Sequence, residues 1–262
     1  MDNNLLPKFA KQIEQLSAAD LAAIEADERF NMEEFTEGTK SVRMVYAPFD
    51  HVNKQAKIVI VGMTPGAFQA KQAHAAACEA LKSGVSISEA SKKAKVFASF
   101  SGEPMRGNLI KMLDYIGVNQ LLGIDSTSSL WTDKSAMVHF TSALRYPVFV
   151  DGKNWSGQPD MVRTPRLKNW LETYTGAELK LLPDALIVPL GPKVASAMLH
   201  LADQGMIDGS RILDGLPHPS GANAERIAYF VDEKPADLCS IKVNTSKLDT
   251  ARDALCARVS LL

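Results

Sequence analysis

Residues 58–66 read IVIVGMTPG, and this stretch decides the fold. Four apolar residues run directly into Gly62, and a Pro-Gly pair follows three residues later. That pattern predicts a buried strand that ends in a tight loop. In open α/β sheets, ligands bind at the loops after the carboxyl ends of strands. The loop at 62–66 is therefore the first candidate for a binding site.

Further strands and helices alternate on both sides of this stretch. Strands are predicted at 43–47, 57–61, 136–140, 185–190 and 211–216, with a long loop over 145–163. Helices are predicted at 67–82, after Ser86 or Ser88, and at 109–117, 167–174, 192–202 and 246–259. Such alternation predicts an α/β fold with a mainly parallel sheet and helices on both faces. Because no linker divides the chain, we expect one domain: a helical extension (1–42), a core (43–235) and a C-terminal helix (236–262).

The composition is that of a globular protein in water. The 262 residues are 46% hydrophobic and 23% charged, with a net charge of −1. Near-neutrality argues against strong nonspecific binding to nucleic acid but leaves room for a local basic face. The lysines of SKKAK (91–95) are interpreted as a solvated helix face. No apolar run approaches the ~18 residues of a membrane span, so no membrane contact is expected.

The three cysteines are widely spaced and form no CxxC pair or metal-type pattern. This predicts a reduced, cytoplasmic protein without a metal or other cofactor.

A second stretch whose residues suit catalysis or binding lies late in the chain, at LPHPSGANAER (216–226). His218 lies between two prolines, which stiffen the loop and suit it to presenting a ring. Ser220, Gly221 and Asn223 add small polar groups of the kind that contact phosphate. Taken separately, each stretch is also explained by structure alone: a strand–turn–helix junction needs glycines, and a histidine can simply cap a neighbour.

Together, the two stretches resemble the uracil-DNA glycosylase superfamily. GMTPG is similar to the GMNPG loop of its single-strand-selective monofunctional branch, and HPSGAN is similar to the HPSPRN loop. Residues 100–118, 139–148 and 185–199 resemble, in order, segments of the iron–sulfur branch. The resemblance covers about residues 57–230 and implies a three-layer fold around a mainly parallel four-stranded sheet. Three unrelated cysteines cannot supply that branch's four ligands, so no iron–sulfur cluster is expected.

The resemblance implies hydrolysis of the N-glycosidic bond of a deaminated base flipped out of single- or double-stranded DNA, by a monomer. His218 matches the histidine that hydrogen-bonds the departing base, and Thr64 occupies the position that holds the attacking water. The positions implied to bind the substrate are Gly62, Met63, Pro65, Gly66, Phe100, Ser142 and Arg145. The positions implied to contact DNA are Ser220, Gly221, Asn223 and Arg226.

Two positions depart from the superfamily pattern. Thr64 replaces an Asp or Asn, and Ser142 replaces an Asn that reads the base edge. A hydroxyl offers one rotating group where an amide offers a fixed donor and acceptor. Arg145 or another neighbour then takes over, or the base differs, or catalysis is lost. Two alternatives therefore stay open: a nucleic-acid or nucleotide binding protein that does not cleave, and an unrelated small-molecule enzyme in which His218 lies far from the 62–66 loop.

Overall fold

The computed structural model describes residues 4–97 and 102–262 of an α/β protein. The strands are β1 (Asn31–Glu37), β2 (Lys40–Val45), β3 (Ile58–Gly62), β4 (Val138–Ser142), β5 (Val148–Val150), β6 (Lys153–Asn154) and β7 (Leu186–Pro189). The helices are α1 (Leu6–Glu14), α2 (Ala18–Ala22), α3 (Ala67–Lys82), α4 (Ile87–Phe97), α5 (Met105–Tyr115), α6 (Val118–Leu122), α7 (Pro165–Trp170), α8 (Ala177–Leu179), α9 (Pro192–Asp203), α10 (Ala224–Phe230) and α11 (Thr245–Ser260). A π-helical turn, Leu171–Gly176, joins α7 to α8.

A parallel sheet in the order β4-β3-β7 forms the centre of the molecule. Gly62 at the end of β3 is paired with Ser142 at the end of β4. The two strands therefore deliver the loops that follow them to the same edge. Beyond β7, Ile212 forms a single parallel bridge with Ile187. The strand predicted at 211–216 is reduced to this bridge, so the parallel sheet of the described residues has three strands.

Strand β3 is buried along its whole length because its two faces serve two cores. Ile58 and Ile60 belong to the core that α5, α10 and α11 cover. Val59 and Val61 belong to the core that α1, α3 and α9 cover. Burial on both faces explains why the strand reads as an uninterrupted apolar run. The prediction of an α/β fold that contains a parallel sheet is confirmed.

A second, antiparallel sheet in the order β1-β2-β5-β6 corrects two predictions. The predicted helical extension over 1–42 ends by Phe30, because β1 and β2 form a hairpin around Gly38, whose φ is +62°. The predicted long loop over 145–163 contains β5 and β6. Strand β1 reads NMEEFTE, and its acidic residues disguise it, since Glu is depleted in strands. None of the helices among the described residues has the length and apolarity required to cross a bilayer.

Candidate active site

A cavity of about 590 Å³ opens at the carboxyl edge of the parallel sheet. Its rim is exposed, whereas its deep end is formed by buried residues. The rim includes Phe68, Gln69, Gly102, Glu103, Pro104 and Gly221. The deep end includes Phe49, Lys95, Thr141, Ser142 and Arg145. The loop that follows β3 and the loop that precedes α10 both line the cavity. The two stretches that the sequence singles out as candidate sites therefore face one space.

The loop at 62–66 is fixed to the segment after β4 by three hydrogen bonds. The amides of Ala143 and Leu144 donate to the carbonyl oxygens of Gly62 (2.8 Å) and Met63 (3.0 Å). The Thr64 hydroxyl donates to the carbonyl oxygen of Tyr146 at 3.0 Å. Its proton is therefore committed, while its oxygen remains able to accept a hydrogen bond. These bonds hold the loop at the wall of the cavity.

The hydrogen bond at Nδ1 of His218 sets its tautomer. The Ser220 amide donates to Nδ1 at 3.2 Å, so the proton of the neutral ring resides on Nε2. Burial lowers the pKa of His218 below its usual 6.5. The ring is therefore neutral at pH 7 and carries one N–H donor at the wall of the cavity.

The structure groups most of the sequence-predicted site residues at this cavity. The cavity-lining members are Gly62, Met63, Thr64, Pro65, Ser142, Arg145, His218, Ser220 and Gly221. Gly66 lies just outside the lining, where its amide donates to Gln69 Oε1 and begins α3. Phe100 lies outside the described residues.

Asn223 and Arg226 are placed elsewhere. They line a neighbouring groove, where Arg226 Nη1 donates to Asn223 Oδ1 at 2.7 Å and Nη2 donates to the Lys242 carbonyl at 3.1 Å. The Asn223 side chain in turn donates from Nδ2 to Ser220 Oγ at 3.2 Å. This chain of bonds braces the 218–226 loop. It connects the groove to the cavity wall at Ser220.

Sequence reasoning missed a buried charged network under the cavity. The Lys95 ammonium donates to Glu178 Oε1 at 2.8 Å, although the lysine was interpreted as part of a solvated face. Arg145 lies within 3.4 Å of Glu178 Oε2 and 3.6 Å of Asp50 Oδ1. His139 also binds Glu178 Oε1 through Nε2. Lys95 and Glu178 are 83 positions apart, so no local sequence pattern indicates that they form an ion pair.

Burial and neighbouring charges shift the pKa values of His139, Glu178 and Lys95 in this network. The Asn53 amide donates to Nδ1 of His139, and burial lowers the pKa of the ring to about 4, so the neutral ring donates from Nε2. Burial works against the charge on Glu178, but Lys95 and Arg145 outweigh it and lower the pKa of the carboxyl. Burial also lowers the pKa of Lys95, and Glu178 opposes this shift. The network therefore holds the cations Lys95 and Arg145 next to the Glu178 carboxylate at the buried end of the cavity.

Acidic groups at the cavity are scarce. Among the described lining residues, Glu103 is the one carboxylate, and its oxygens accept from Arg106 Nε and the Gly107 amide. Gln72, on α3, adds an amide to the lining that the sequence motifs did not indicate. No group of three His, Cys, Asp or Glu side chains in the described part of the chain is arranged to hold a metal.

The fold and the site define the class: this is an α/β protein with a cavity at the carboxyl edge of its parallel sheet. The walls of the cavity include the 62–66 loop and a neutral histidine. No family model matches the chain, and no solved structure matches it. The chain is 33% identical over 237 residues to the uncharacterized protein YoxB of Bacillus subtilis (strain 168), a match over 89% of this chain and 91% of that protein. The chain belongs to the family of that protein.

Proposed function

We propose that this protein is a DNA glycosylase of the uracil-DNA glycosylase superfamily that hydrolyses the N-glycosidic bond of a deaminated base. The observation that carries the proposal is the meeting of the 62–66 loop and the neutral His218 at one cavity. In this proposal the fold is uracil-DNA glycosylase-like, and the Ile212 bridge stands where the fourth strand of the parallel sheet would lie. The protein acts as a cytoplasmic monomer on DNA.

The cavity's volume and its apolar rim support a flipped-out base as the ligand. Its volume of about 590 Å³ falls in the range of small-molecule sites, roughly 300–1,000 Å³. A base inside a duplex cannot reach such a site, so the nucleotide must be extruded, which costs a few kcal/mol. Its exposed rim residues Phe68 and Pro104 give the apolar surface against which an extruded nucleotide can rest.

In the reaction, negative charge develops on the departing base. The Nε2–H group of His218 is a preorganised donor for an oxygen of that base, since the Ser220 amide fixes the tautomer. Such a donor acts more strongly in a water-excluded site than in solvent. A neutral imidazole keeps its proton and serves as a hydrogen-bond donor throughout.

Water is held by Thr64 in this proposal. Because its proton is given to the Tyr146 carbonyl, the Thr64 oxygen accepts a hydrogen bond from the attacking water and leaves a lone pair of that water free for the sugar carbon. Gln72 supplies an amide for the same space. Neither group carries the negative charge that would stabilise the sugar cation. Stabilisation of the negative charge on the departing base must therefore supply a larger part of the catalysis.

A panel of oligonucleotides tests the proposal. Each strand carries one uracil, hypoxanthine or xanthine, and base release is measured in single-turnover reactions with wild type and His218→Ala. We expect release of at least one base, and a slower rate in the variant by a factor on the order of 10²–10³, as for the loss of one oxyanion-type donor. No release from any strand, beside an active control glycosylase, contradicts the proposal.

A second candidate function is base binding without cleavage. It is favoured because Glu103 is the one carboxylate among the described cavity residues, and its oxygens already accept hydrogen bonds from Arg106 Nε and the Gly107 amide. This candidate predicts tight binding of the same oligonucleotides with no release of base. A gel-shift titration run beside the release assay separates the two functions.

A further inference from the structure

Lys95 gives the deep end of the cavity a buried positive charge. The lysine lies on α4 and is 5% exposed, yet its side chain helps to line the cavity. Its ammonium donates to Glu178 Oε1 and to the His51 carbonyl oxygen, both at 2.8 Å. These two acceptors hold the ammonium in place. A buried lysine with a carboxylate partner keeps a charge that burial alone would remove.

Arg145 is a second cation of the cavity wall, and the carboxylates lie behind both. Lys95 and Arg145 line the cavity, whereas their partners Glu178 and Asp50 do not. The network thus turns its positive groups toward a ligand and its negative groups toward the protein interior. A ligand at the deep end meets hydrogen-bond donors that cannot act as acceptors.

A hydroxyl that can donate or accept a hydrogen bond lies beside these cations. Thr141 is 6% exposed and lines the cavity, and its Oγ1 has no hydrogen-bond partner among the described residues. A buried polar atom without a partner costs free energy, and an incoming ligand that bonds it recovers that cost. Ser142 follows it on the same strand and is also buried. The deep end is therefore built for a polar ligand edge rather than an apolar one.

Resting on the proposed function, we infer that Lys95, together with Arg145, forms the subsite for the oxygen-bearing edge of the departing base. The subsite selects oxo-heterocycles over amino-heterocycles, because its ammonium and guanidinium donate to carbonyl oxygens and repel N–H groups. When the C–N bond breaks, its electron pair leaves on the base nitrogen, and the positive charge of the subsite balances it. The water oxygen then bonds to the sugar carbon, and its proton passes to the base or to solvent.

Two variants separate the charge of Lys95 from its packing. Lys95→Met alone leaves Glu178 buried without its ammonium partner, and such a protein can fail to fold. The double variant Lys95→Met with Glu178→Gln removes both charges, and Glu178→Gln alone is its reference. Lys93→Met, an exposed neighbour on the same helix, is the matched control. Near-ultraviolet circular dichroism establishes that each variant is folded.

Binding is measured first, on strands whose 2′-fluorinated nucleotide resists cleavage and carries either uracil or cytosine. We expect wild type and Lys93→Met to prefer uracil by roughly 10-fold, the order of one good base contact. The double variant loses this preference. Release of uracil from the cleavable strand is measured next, and we expect the double variant to be slower than Glu178→Gln by a factor on the order of 10²–10³.

The outcomes for the two proposals differ. If wild type releases base but the double variant matches Glu178→Gln in both assays, the assignment of Lys95 is overturned and the proposed function stands. If wild type releases no base from any strand, the proposed function fails, and the binding assay alone decides on Lys95. A uracil preference that disappears in the double variant then supports the subsite. Equal binding of uracil and cytosine by wild type overturns it.

Discussion

Gly191 leaves the space that the His218 ring occupies. It separates β7 from α9 and has φ +94° and ψ 167°, a region that only glycine adopts readily. A Cβ at this position would lie 3.2 Å from His218 Cδ2. Gly191→Ala therefore adds backbone strain and pushes on the ring that carries the proposed chemistry.

The size of the effect follows from these two contributions. The strain costs about 1–3 kcal/mol, which lowers the midpoint of thermal unfolding by roughly 2–12 °C for a chain of this size. A 3.2 Å contact requires the ring to move by a few tenths of an ångström. A displacement of 1 Å can cost about 10²-fold in rate, so we expect a loss of roughly 10-fold.

Gly205→Ala is the matched control, because Gly205 follows the C-terminal end of the same helix. Its φ is +65°, so alanine is strained there too, but no atom lies within 4 Å of the added Cβ. Thermal unfolding and single-turnover base release are measured for both variants. We expect both to lose stability and only Gly191→Ala to lose rate. Equal rates in the two variants, with Gly191→Ala folded, refute the role of Gly191 in placing His218.

Three further predictions concern single groups. Nitrogen-15 NMR should show His218 neutral at pH 7 with its proton on Nε2, and a titration midpoint below 6.5; a protonated ring at pH 7 contradicts the tautomer argument. Thr64→Val leaves the Tyr146 carbonyl without its donor and should lower the free energy of unfolding by about 1 kcal/mol, whereas Thr64→Ser should restore most of it, as measured in urea. His74 and His139 are buried with pKa values lowered from 6.5 to about 4, so below pH 6.5 the unfolded chain binds protons that the folded chain excludes. The contribution of these two neutral rings to the free energy of unfolding is fully present above pH 6.5. It falls toward pH 4, by up to about 1.4 kcal/mol per pH unit for each ring. Unfolding curves that do not change over this pH range contradict this prediction.

The centre of the fold was predictable because its signals are local. The apolar run of β3 and the alanine-rich segment of α3 carry their structure in their own residues, and both elements lie where the sequence places them. The edge hairpin was missed because β1 is only partly buried and rich in glutamate. The bridge at Ile212 shows the same limit, since a single residue pair leaves no periodic pattern.

The site divides in the same way. The 62–66 loop and His218 can be recognised in the sequence from neighbouring glycines and prolines, and both line the cavity. Lys95 does not, because its neighbours Lys92 and Lys93 are exposed and only the distant Glu178 distinguishes it. A lysine run on a helix indicates a solvated face until the tertiary partner is known. Long-range pairs of this kind are what the sequence alone leaves undetermined.

Mass spectrometry of a single-turnover reaction tests the central claim most directly. An oligonucleotide with one uracil is incubated with the protein, and both the strand and the released small molecule are weighed. Hydrolysis predicts intact free base together with a strand that has lost the base and gained the elements of water, and His218→Ala slows the appearance of both. An unchanged strand mass, with the oligonucleotide bound to the protein and hypoxanthine and xanthine strands equally intact, would contradict the account.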